Sequence, residues 1–128
     1  MTIADGTVDE GVAVDVAVAA LAQLASNERL QKLSRTLFGQ AHRLAVMTAI
    51  ARSDGDVNPG DLAEQLGFRA QSSIQGPMRD LVEAGLISEL PEVPGMRRKY
   101  YRREESKVWA WIEEVAAQFE QERSSHRS

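Results

Sequence analysis

The sequence predicts a mainly α-helical fold that contains a two-stranded β-hairpin, and three observations carry this prediction. Within residues 57–86, two short apolar stripes at helical spacing are separated by a tight turn. Directly after them, two extended runs are interrupted by a break at residues 91–95 that contains two prolines and a glycine. Apolar stripes at helical spacing also occupy the flanking segments, so further helices are expected before and after this central stretch.

The N-terminal part is expected to be a disordered tail over residues 1–7, followed by a helical segment over residues 8–38. Residues 8–25 combine alternating valines, which are typical of a strand, with alanines and leucines at helical spacing. The segment is longer than a usual strand, which favours a helix, and the strand alternative stays open.

Two more helices are predicted before the central stretch. Ser26 or Asn27 can cap the first of them, and Gly39 can end it. The second is predicted over residues 40–52, before a turn at residues 53–56. The expected inward-facing side chains of the two helices are Leu30, Leu33, Leu37, Leu44, Met47 and Ile50, and the expected outward-facing ones are Arg43 and Arg52.

The central stretch is predicted to be a helix-turn-helix. Its first helix has a marked beginning, with Asn58 as cap, Pro59 in the first helical position and Asp61 in the first turn. Gly67 is expected to end this helix, because glycine readily adopts a positive φ.

The second helix of the motif is predicted over residues 73–84 and is closed by Gly85. Pro77 falls inside its apolar stripe, where it removes a backbone hydrogen bond. The regular helix is therefore expected to begin near residues 73–75, with Pro77 in its first turn. Gln71 and Ser72 are then expected in the turn or in a preceding 3₁₀ segment. The side chains expected to be buried are Ile74, Met78, Leu81 and Val82.

Residues 86–90 and 96–103 are predicted to pair as the β-hairpin. A last helix is predicted over residues 105–122, followed by a disordered tail over residues 124–128. The apolar stripe of this helix contains Trp109, Ile112, Ala116 and Phe119. Because the domain is small, we expect a partner subunit to help bury these side chains.

Positive charge is concentrated in the helix-turn-helix and the hairpin. The whole chain has a formal net charge of −4, whereas residues 67–103 hold seven Arg and Lys residues against four Asp and Glu residues. Screening confines the effect of each charge to roughly 10 Å at moderate salt, so a polyanion responds to the local field. The acidic total therefore does not exclude nucleic acid as a partner.

Two sets of side chains are predicted to contact DNA. The turn and the exposed face of the second helix carry groups that can bond to base edges or phosphates, namely Arg69, Gln71, Ser72, Ser73, Gln75 and Arg79. The second strand adds cations that can hold phosphates, namely Arg97, Arg98, Lys99 and Arg102, with Arg103 beside them. The simpler interpretations are a solvated helix face and an edge strand that is protected by charge. Five basic residues in seven positions exceed what edge protection needs.

Helices, a helix-turn-helix and a basic hairpin follow one another in the order of a winged helix domain. The segments Leu-Ala-Glu-Gln-Leu-Gly at residues 62–67 and Leu-Val-Glu-Ala-Gly-Leu-Ile at residues 81–87, with Arg-Leu-Ala-Val-Met at 43–47 and Arg-Lys-Tyr-Tyr at 98–101, resemble bacterial regulators of the ArsR and MarR kind. This resemblance covers residues 40–103. It implies a dimeric DNA-binding transcription regulator with its second motif helix in the major groove and its wing, residues 91–103, on the DNA backbone or in the minor groove.

The predicted organisation is therefore a helical dimerisation segment (residues 8–38), a winged helix-turn-helix domain (residues 39–103) and a C-terminal dimerisation helix (residues 104–123). The apolar faces of the flanking helices supply the predicted dimer interface. Its residues are Val12, Val16, Leu21, Leu24, Trp109, Ile112, Ala116 and Phe119.

Other kinds of chemistry find little support in the sequence. The chain has no cysteine, which excludes disulfides and thiolate metal sites and departs from the metal-sensing ArsR regulators. Asp54, Asp56 and Asn58 imitate the beginning of a calcium-binding loop, but Pro59 and Gln65 stand where that loop needs glycine and glutamate. The two histidines lack a second ligand at metal spacing. We therefore expect no metal, no cofactor and no enzymatic activity.

Residues 12–25 are too short and too interrupted by polar residues to cross a membrane, and no basic segment precedes them, so a cytoplasmic protein is expected. The predicted function is sequence-specific DNA binding in transcription control. The alternative is a winged helix that binds an acidic protein surface without binding DNA specifically. Trp109 and Trp111 could line a pocket for a small effector, although core packing is the more common role of such a stripe.

Overall fold

The computed structural model describes residues 16–17, 19–70 and 72–127, and over these ranges it holds six helices and three short strands. Helix α1 is described at residues 16–17 and 19–26. The other helices are α2 (Glu28–Phe38), α3 (Arg43–Ala51), α4 (Pro59–Gln65), α5 (Ser72–Glu83) and α6 (Lys107–Arg127), and the strands are β1 (Asp56–Val57), β2 (Ile87–Glu89) and β3 (Tyr101–Arg103). The prediction of a mainly α-helical fold with a small β-sheet is confirmed.

The first two helices follow the sequence signals closely. The predicted helix over residues 8–25 is confirmed at the described positions of α1, and residues 8–15, with Val12, lie outside the described ranges. Asn27 caps α2, because its side-chain oxygen accepts a hydrogen bond from the backbone N–H of Leu30 at 3.0 Å. Gly39 ends α2 with a φ of 76°. Leu37, predicted to face inward, is exposed instead.

Helix α3 lies at the centre of the fold and is buried on every side from residue 44 to residue 50. It packs between α2 and α6 and also contacts α4 and α5. Its first turn receives an unusual cap, since the buried Ser34 hydroxyl of α2 accepts from the N–H of Leu44 at 3.0 Å. The same hydroxyl donates to the carbonyl of Gln40, which fixes the α2–α3 loop against both helices.

The sheet has three antiparallel strands in the order β1-β3-β2. Strands β2 and β3 pair as the predicted two-stranded wing, and β1 is a further strand that was not predicted. Asp56 pairs with Arg102 on one side of β3, while Ser88 pairs with Arg102 on the other. Strand β1 has two residues, and its existence depends on pairing with a segment more than 40 residues away along the chain. The regular strands are also shorter than predicted, because residues 91–99 form an exposed loop.

Helix α6 extends to Arg127, beyond the predicted end at residue 122, so residues 124–127 are helical rather than a disordered tail. Its N-terminal half packs along α3. Trp109 is buried there, and its indole N–H donates to the carbonyl of Glu104 at 2.9 Å. Among the described helices, none is sufficiently long and apolar to span a membrane.

Most side chains predicted for a dimer interface lie in the core of the single chain. These are Leu21, Leu24, Trp109, Ile112 and Ala116, which join the same cluster as Leu30, Leu44, Ile50 and Ile74. Phe119 is partly buried against this cluster, and the Arg29 guanidinium lies 5.9 Å from the centre of its ring. Val16 alone of the described set is largely exposed. The flanking helices therefore bury Trp109, Ile112 and Ala116 without help from a second subunit.

Arg52, predicted to face outward, joins the end of α3 to α6. Its Nε donates to Glu113 at 2.8 Å, and its terminal nitrogens donate to the Glu120 carboxylate at 2.7 and 3.2 Å. Hydrogen bonding to Glu120, followed by that to Glu113, raises the pKa of the Arg52 guanidinium against the opposing effect of burial. The paired carboxylates hold α6 against the centre of the fold.

Candidate nucleic-acid interface

Helices α4 and α5 form the predicted helix-turn-helix, and local capping positions them. The Asn58 side chain accepts from the N–H of Asp61 at 3.1 Å, and Pro59 occupies the first position of α4, as predicted. Gly67 has a φ of 76° and directs the chain into the turn. There the N–H of Phe68 bonds back to the Ala63 carbonyl at 2.9 Å, which closes the end of α4.

The exposed face of α5 carries the residues predicted to read DNA. Ser72, Ser73, Gln75 and Arg79 are all exposed, whereas Ile74, Pro77, Met78 and Leu81 are buried. Ser72, Gln75 and Arg79 share one side of the helix because they are three and four residues apart. Arg69 is exposed in the turn, and Gln71 lies outside the described residues. Val82, predicted to be buried, is 37% exposed and extends the same side of α5.

Pro77 lies in the interior of α5, because the helix begins at Ser72 rather than near residues 73–75. The predictions of a later start and of Ser72 in the preceding turn are therefore wrong. Proline has no N–H, so the carbonyl of Ser73 lacks its usual partner four residues on. The packing of the Pro77 ring into the core offsets this loss. The first turn of α5 therefore lies on the N-terminal side of the missing hydrogen bond.

Helix α5 is held in place by an ion pair to the central helix. Arg43 of α3 donates from Nη2 to the Asp80 carboxylate of α5, and only 12% of its side chain is exposed. The prediction that Arg43 faces outward is wrong. On the same side of the motif, the Gln40 side chain lies next to Gly76 of α5. These contacts hold α5 against α3 and the α2–α3 loop.

The wing is the loop of residues 91–99, which connects β2 to β3. The N–H of Leu90 bonds to the Tyr100 carbonyl at 2.9 Å and closes its base, and the N–H of Met96 bonds to the Val93 carbonyl at 3.0 Å at its tip. The Asn58 side chain, besides capping α4, donates to the Lys99 carbonyl at 2.8 Å. One asparagine therefore connects the wing to the first helix of the motif.

The five basic residues of the wing and of β3 differ in their surroundings. Arg97 forms no ion pair with any residue of the described ranges. Arg98 lies 3.5 Å from the Asp61 carboxylate, and Lys99 lies 3.6 Å from that of Glu89. Residues 96–100 are not part of a regular strand.

The two arginines of β3 have structural partners. Arg102 Nε donates to Asp56 Oδ1 at 3.0 Å across the β1–β3 pair, and this hydrogen bond lowers the pKa of the Asp56 carboxyl. Arg103 Nη1 lies 2.8, 2.9 and 3.2 Å from the carbonyls of Ile50, Ala51 and Ser53. It thereby caps the C-terminal end of α3, as a cation near that end of the helix dipole should. Arg103 is therefore not available to DNA, although Arg102 remains exposed beside its partner.

An open cleft of about 1060 Å³ separates α4 and α5 from the wing. Its lining brings together five predicted contact residues, Gln75, Arg79, Arg97, Arg98 and Lys99. The first and the last of them are 24 positions apart in the sequence. The walls of the cleft also hold four carboxylates that the sequence did not predict as part of the site, namely Asp61, Glu64, Glu83 and Glu89. The sequence identifies Asp61 only as the acid in the first turn of α4, because a sequence pattern does not give its distance to the wing.

No group of three or more metal-ligating side chains occurs among the residues that the structure describes. His42 instead packs its ring against Phe68 of the turn, with 4.8 Å between the ring centres. Asp54 and Asp56 belong to the turn before α4 and to β1, where Asp56 bonds to Arg102.

The sequence matches no protein family model and no curated protein, whereas 16 chains of solved structures match the fold. One is MarR from E. coli in its reduced form, with 20% identity, a TM-score of 0.51 and coverage of 84% of this chain and 73% of that one. Another is FabT from Streptococcus pneumoniae in complex with DNA, with 13% identity, a TM-score of 0.51 and coverage of 98% and 80%. A third is a variant of ZitR from Lactococcus lactis, with 16% identity, a TM-score of 0.54 and coverage of 99% and 80%.

These likenesses show a winged helix-turn-helix fold of the kind found in MarR regulators. The predicted resemblance is therefore confirmed at the level of the fold. The matched part includes the helices on both sides of the winged domain, because the FabT and ZitR structures cover almost the whole chain.

Proposed function

We propose that this chain is a sequence-specific DNA-binding transcription regulator that acts as a homodimer. In this proposal, α5 enters the major groove and the wing contacts the DNA backbone. The observation that supports it most directly is the placement of Ser72, Gln75 and Arg79 on one exposed side of α5, beside the cations of the wing. FabT, which shares this fold, was solved in complex with DNA.

The chemistry of the two surfaces suits different parts of the duplex. Glutamine and serine side chains can both donate and accept hydrogen bonds, which suits the edges of bases in the major groove. Arg69 lies at the exposed turn before α5, where a phosphate contact fits better than a base contact. Arg97, Arg98 and Lys99 would contribute affinity that depends on salt and little on sequence.

A homodimer would match the symmetry of a palindromic operator. Two copies of α5 related by a two-fold axis would enter successive major grooves, roughly 34 Å apart. The described residues that remain free to form such an interface on the flanking helices include Val16 on α1 and Trp111 on α6, both exposed apolar side chains. The core beneath this interface would contain the other predicted residues, Leu21, Leu24, Trp109, Ile112 and Ala116.

The decisive experiment is a mobility shift on random genomic fragments at two salt concentrations. Binding to many fragments at low salt and to only a few at higher salt is the expected result, because base contacts persist while phosphate contacts weaken. Absence of any binding at low salt would refute the proposed function. If the protein instead retains one acidic protein from a mixture depleted of DNA, the alternative of a protein-binding winged helix would replace the proposed DNA-binding function.

A further inference from the structure

The cations of the wing already have carboxylate partners in the free protein. Arg98 faces Asp61 of α4 at 3.5 Å, and Lys99 faces Glu89 of β2 at 3.6 Å. Between 47% and 59% of each of the four side chains is exposed, and the two pairs lie in the cleft that we propose receives DNA. A phosphate that binds either cation therefore competes with a carboxylate that is already beside it.

The cleft as a whole is electrically balanced. Its walls present the four cations Arg79, Arg97, Arg98 and Lys99 against the four carboxylates Asp61, Glu64, Glu83 and Glu89. The positive excess of residues 67–103 consequently does not create a strongly positive cleft, because Asp61 and Glu64 come from α4, outside that segment. A purely cationic groove would bind the backbone of any duplex.

The two ion pairs are not needed to hold the wing. Exposed pairs at such distances contribute little to stability. The wing has stronger attachments in the Asn58–Lys99 hydrogen bond, the Leu90–Tyr100 hydrogen bond and the pairing of β2 with β3. Removing a carboxylate should thus leave the wing in place and change mainly the field around its cations.

We propose that Asp61 and Glu89 are specificity-determining residues, which weaken the attraction of the wing to phosphates and so make stable binding depend on base contacts of α5. This inference rests on the proposed function and concerns the same site. DNA binding would exchange each carboxylate partner for a phosphate and leave the carboxylate near the duplex. The protein would then lose affinity for all sequences and gain discrimination between them.

The test compares wild-type protein with Asp61→Asn, Glu89→Gln and the double variant on a random duplex over a range of salt. Each single variant should bind about threefold to tenfold more tightly at low salt, and the slope of log K against log salt should steepen by nearly one unit. The ratio of operator affinity to random-duplex affinity should fall. Unchanged or weaker binding in the Glu89 and Asp61 variants would overturn the inference.

Glu114→Gln is the matched control, because Glu114 is exposed on α6 and the substitution removes the same charge. An equal gain in this control would mean that net charge alone matters, and it would also overturn the inference. Circular dichroism of the variants should show wild-type unfolding midpoints, since Asn58 bonds to the backbone of residue 61 and the cap of α4 persists.

Elution from a heparin column separates this inference from the proposed function. Asp61→Asn and Glu89→Gln should elute at higher salt than both wild-type protein and Glu114→Gln. If wild-type protein binds no duplex, the proposed function fails, and heparin elution still reports whether the two carboxylates restrain the wing cations. Coelution of all variants with wild-type protein would refute that restraint.

Discussion

Ser34 performs two tasks with a single hydroxyl in the interior of the fold. It is fully buried, donates to the Gln40 carbonyl and accepts from the N–H of Leu44. His42, the residue before α3, supplies no side-chain hydrogen bond to the helix. The beginning of the central helix therefore depends on a side chain from the preceding helix.

Ser34→Ala should lower the free energy of unfolding by about 1–3 kcal/mol, because it leaves a buried N–H and a buried carbonyl without their partner. Urea denaturation followed by circular dichroism would measure this change. The matched control is Ser26→Ala, whose hydroxyl bonds to the Gln23 carbonyl at an exposed position and whose loss should cost little. Equal losses in the two variants would contradict the role given to Ser34.

Variants of Gln75 and of the wing cations should distinguish the recognition of bases from the attraction to the DNA backbone. Gln75→Ala is expected to change which operator sequences are preferred more than it changes the affinity for random DNA. The triple variant Arg97→Ala, Arg98→Ala, Lys99→Ala should weaken binding to all sequences and flatten the salt dependence. Fluorescence anisotropy on operator and random duplexes at several salt concentrations would measure both effects. An unchanged salt slope in the triple variant would exclude the wing from the interface.

The beginnings and ends of α2 and α4 were predictable because they depend on neighbours in sequence. Asn27 and Asn58 accept hydrogen bonds from N–H groups three residues ahead, and Gly39 and Gly67 adopt the positive φ that the predictions required. Strand β1 was missed for the opposite reason. Its two residues form no pattern of their own and become a strand only by pairing with β3.

The beginning of α5 was predicted too late because the rule for proline was applied without its tertiary context. Pro77 is buried among side chains that hold α5 against the core, and their packing keeps the helix continuous from Ser72. The buried ring thus belongs to the core that supports the reading helix.

Pro77→Ala should therefore change stability only slightly. The restored hydrogen bond would be offset by lost burial and a more flexible unfolded chain, so the net change in unfolding free energy should stay within about 1 kcal/mol. The affinity for the operator and the salt slope should remain those of the wild type, because Pro77 is buried whereas Ser72, Gln75 and Arg79 are exposed. Parallel urea denaturation and anisotropy measurements would test this, and a several-fold loss of operator affinity would contradict it.

For the molecule as a whole, the sequence indicated where charge accumulates but not how it is distributed in space. The excess of basic over acidic residues lies in residues 67–103, and four of those basic residues line one cleft in the structure. The structure also places Arg103 at the C-terminal end of α3 and Asp61 beside Arg98 of the wing. Both effects join residues that are more than 35 positions apart, so no local pattern could reveal them.

The aromatic stripe of α6 illustrates the same limit. Its spacing predicted burial correctly for Trp109 and Ile112, but the partner surface is α3 of the same chain. The prediction of a partner surface rested on the assumption that a small domain could not bury two tryptophans. The fold buries Trp109 and leaves Trp111 43% exposed.

Trp111 therefore offers the sharpest test of the proposed homodimer. Light scattering after size exclusion should show a dimer at micromolar concentration, and Trp111→Gln should raise the dissociation constant at least tenfold, since a tryptophan at an interface often contributes about 2 kcal/mol or more. Its unfolding midpoint, measured where both proteins are monomeric, should match the wild type because the side chain faces solvent. Val93→Ser, at another exposed apolar site that lies on the wing, should leave the dimer intact. A wild-type protein that is monomeric at these concentrations would refute the dimer, and a dimer that survives Trp111→Gln would place the interface elsewhere.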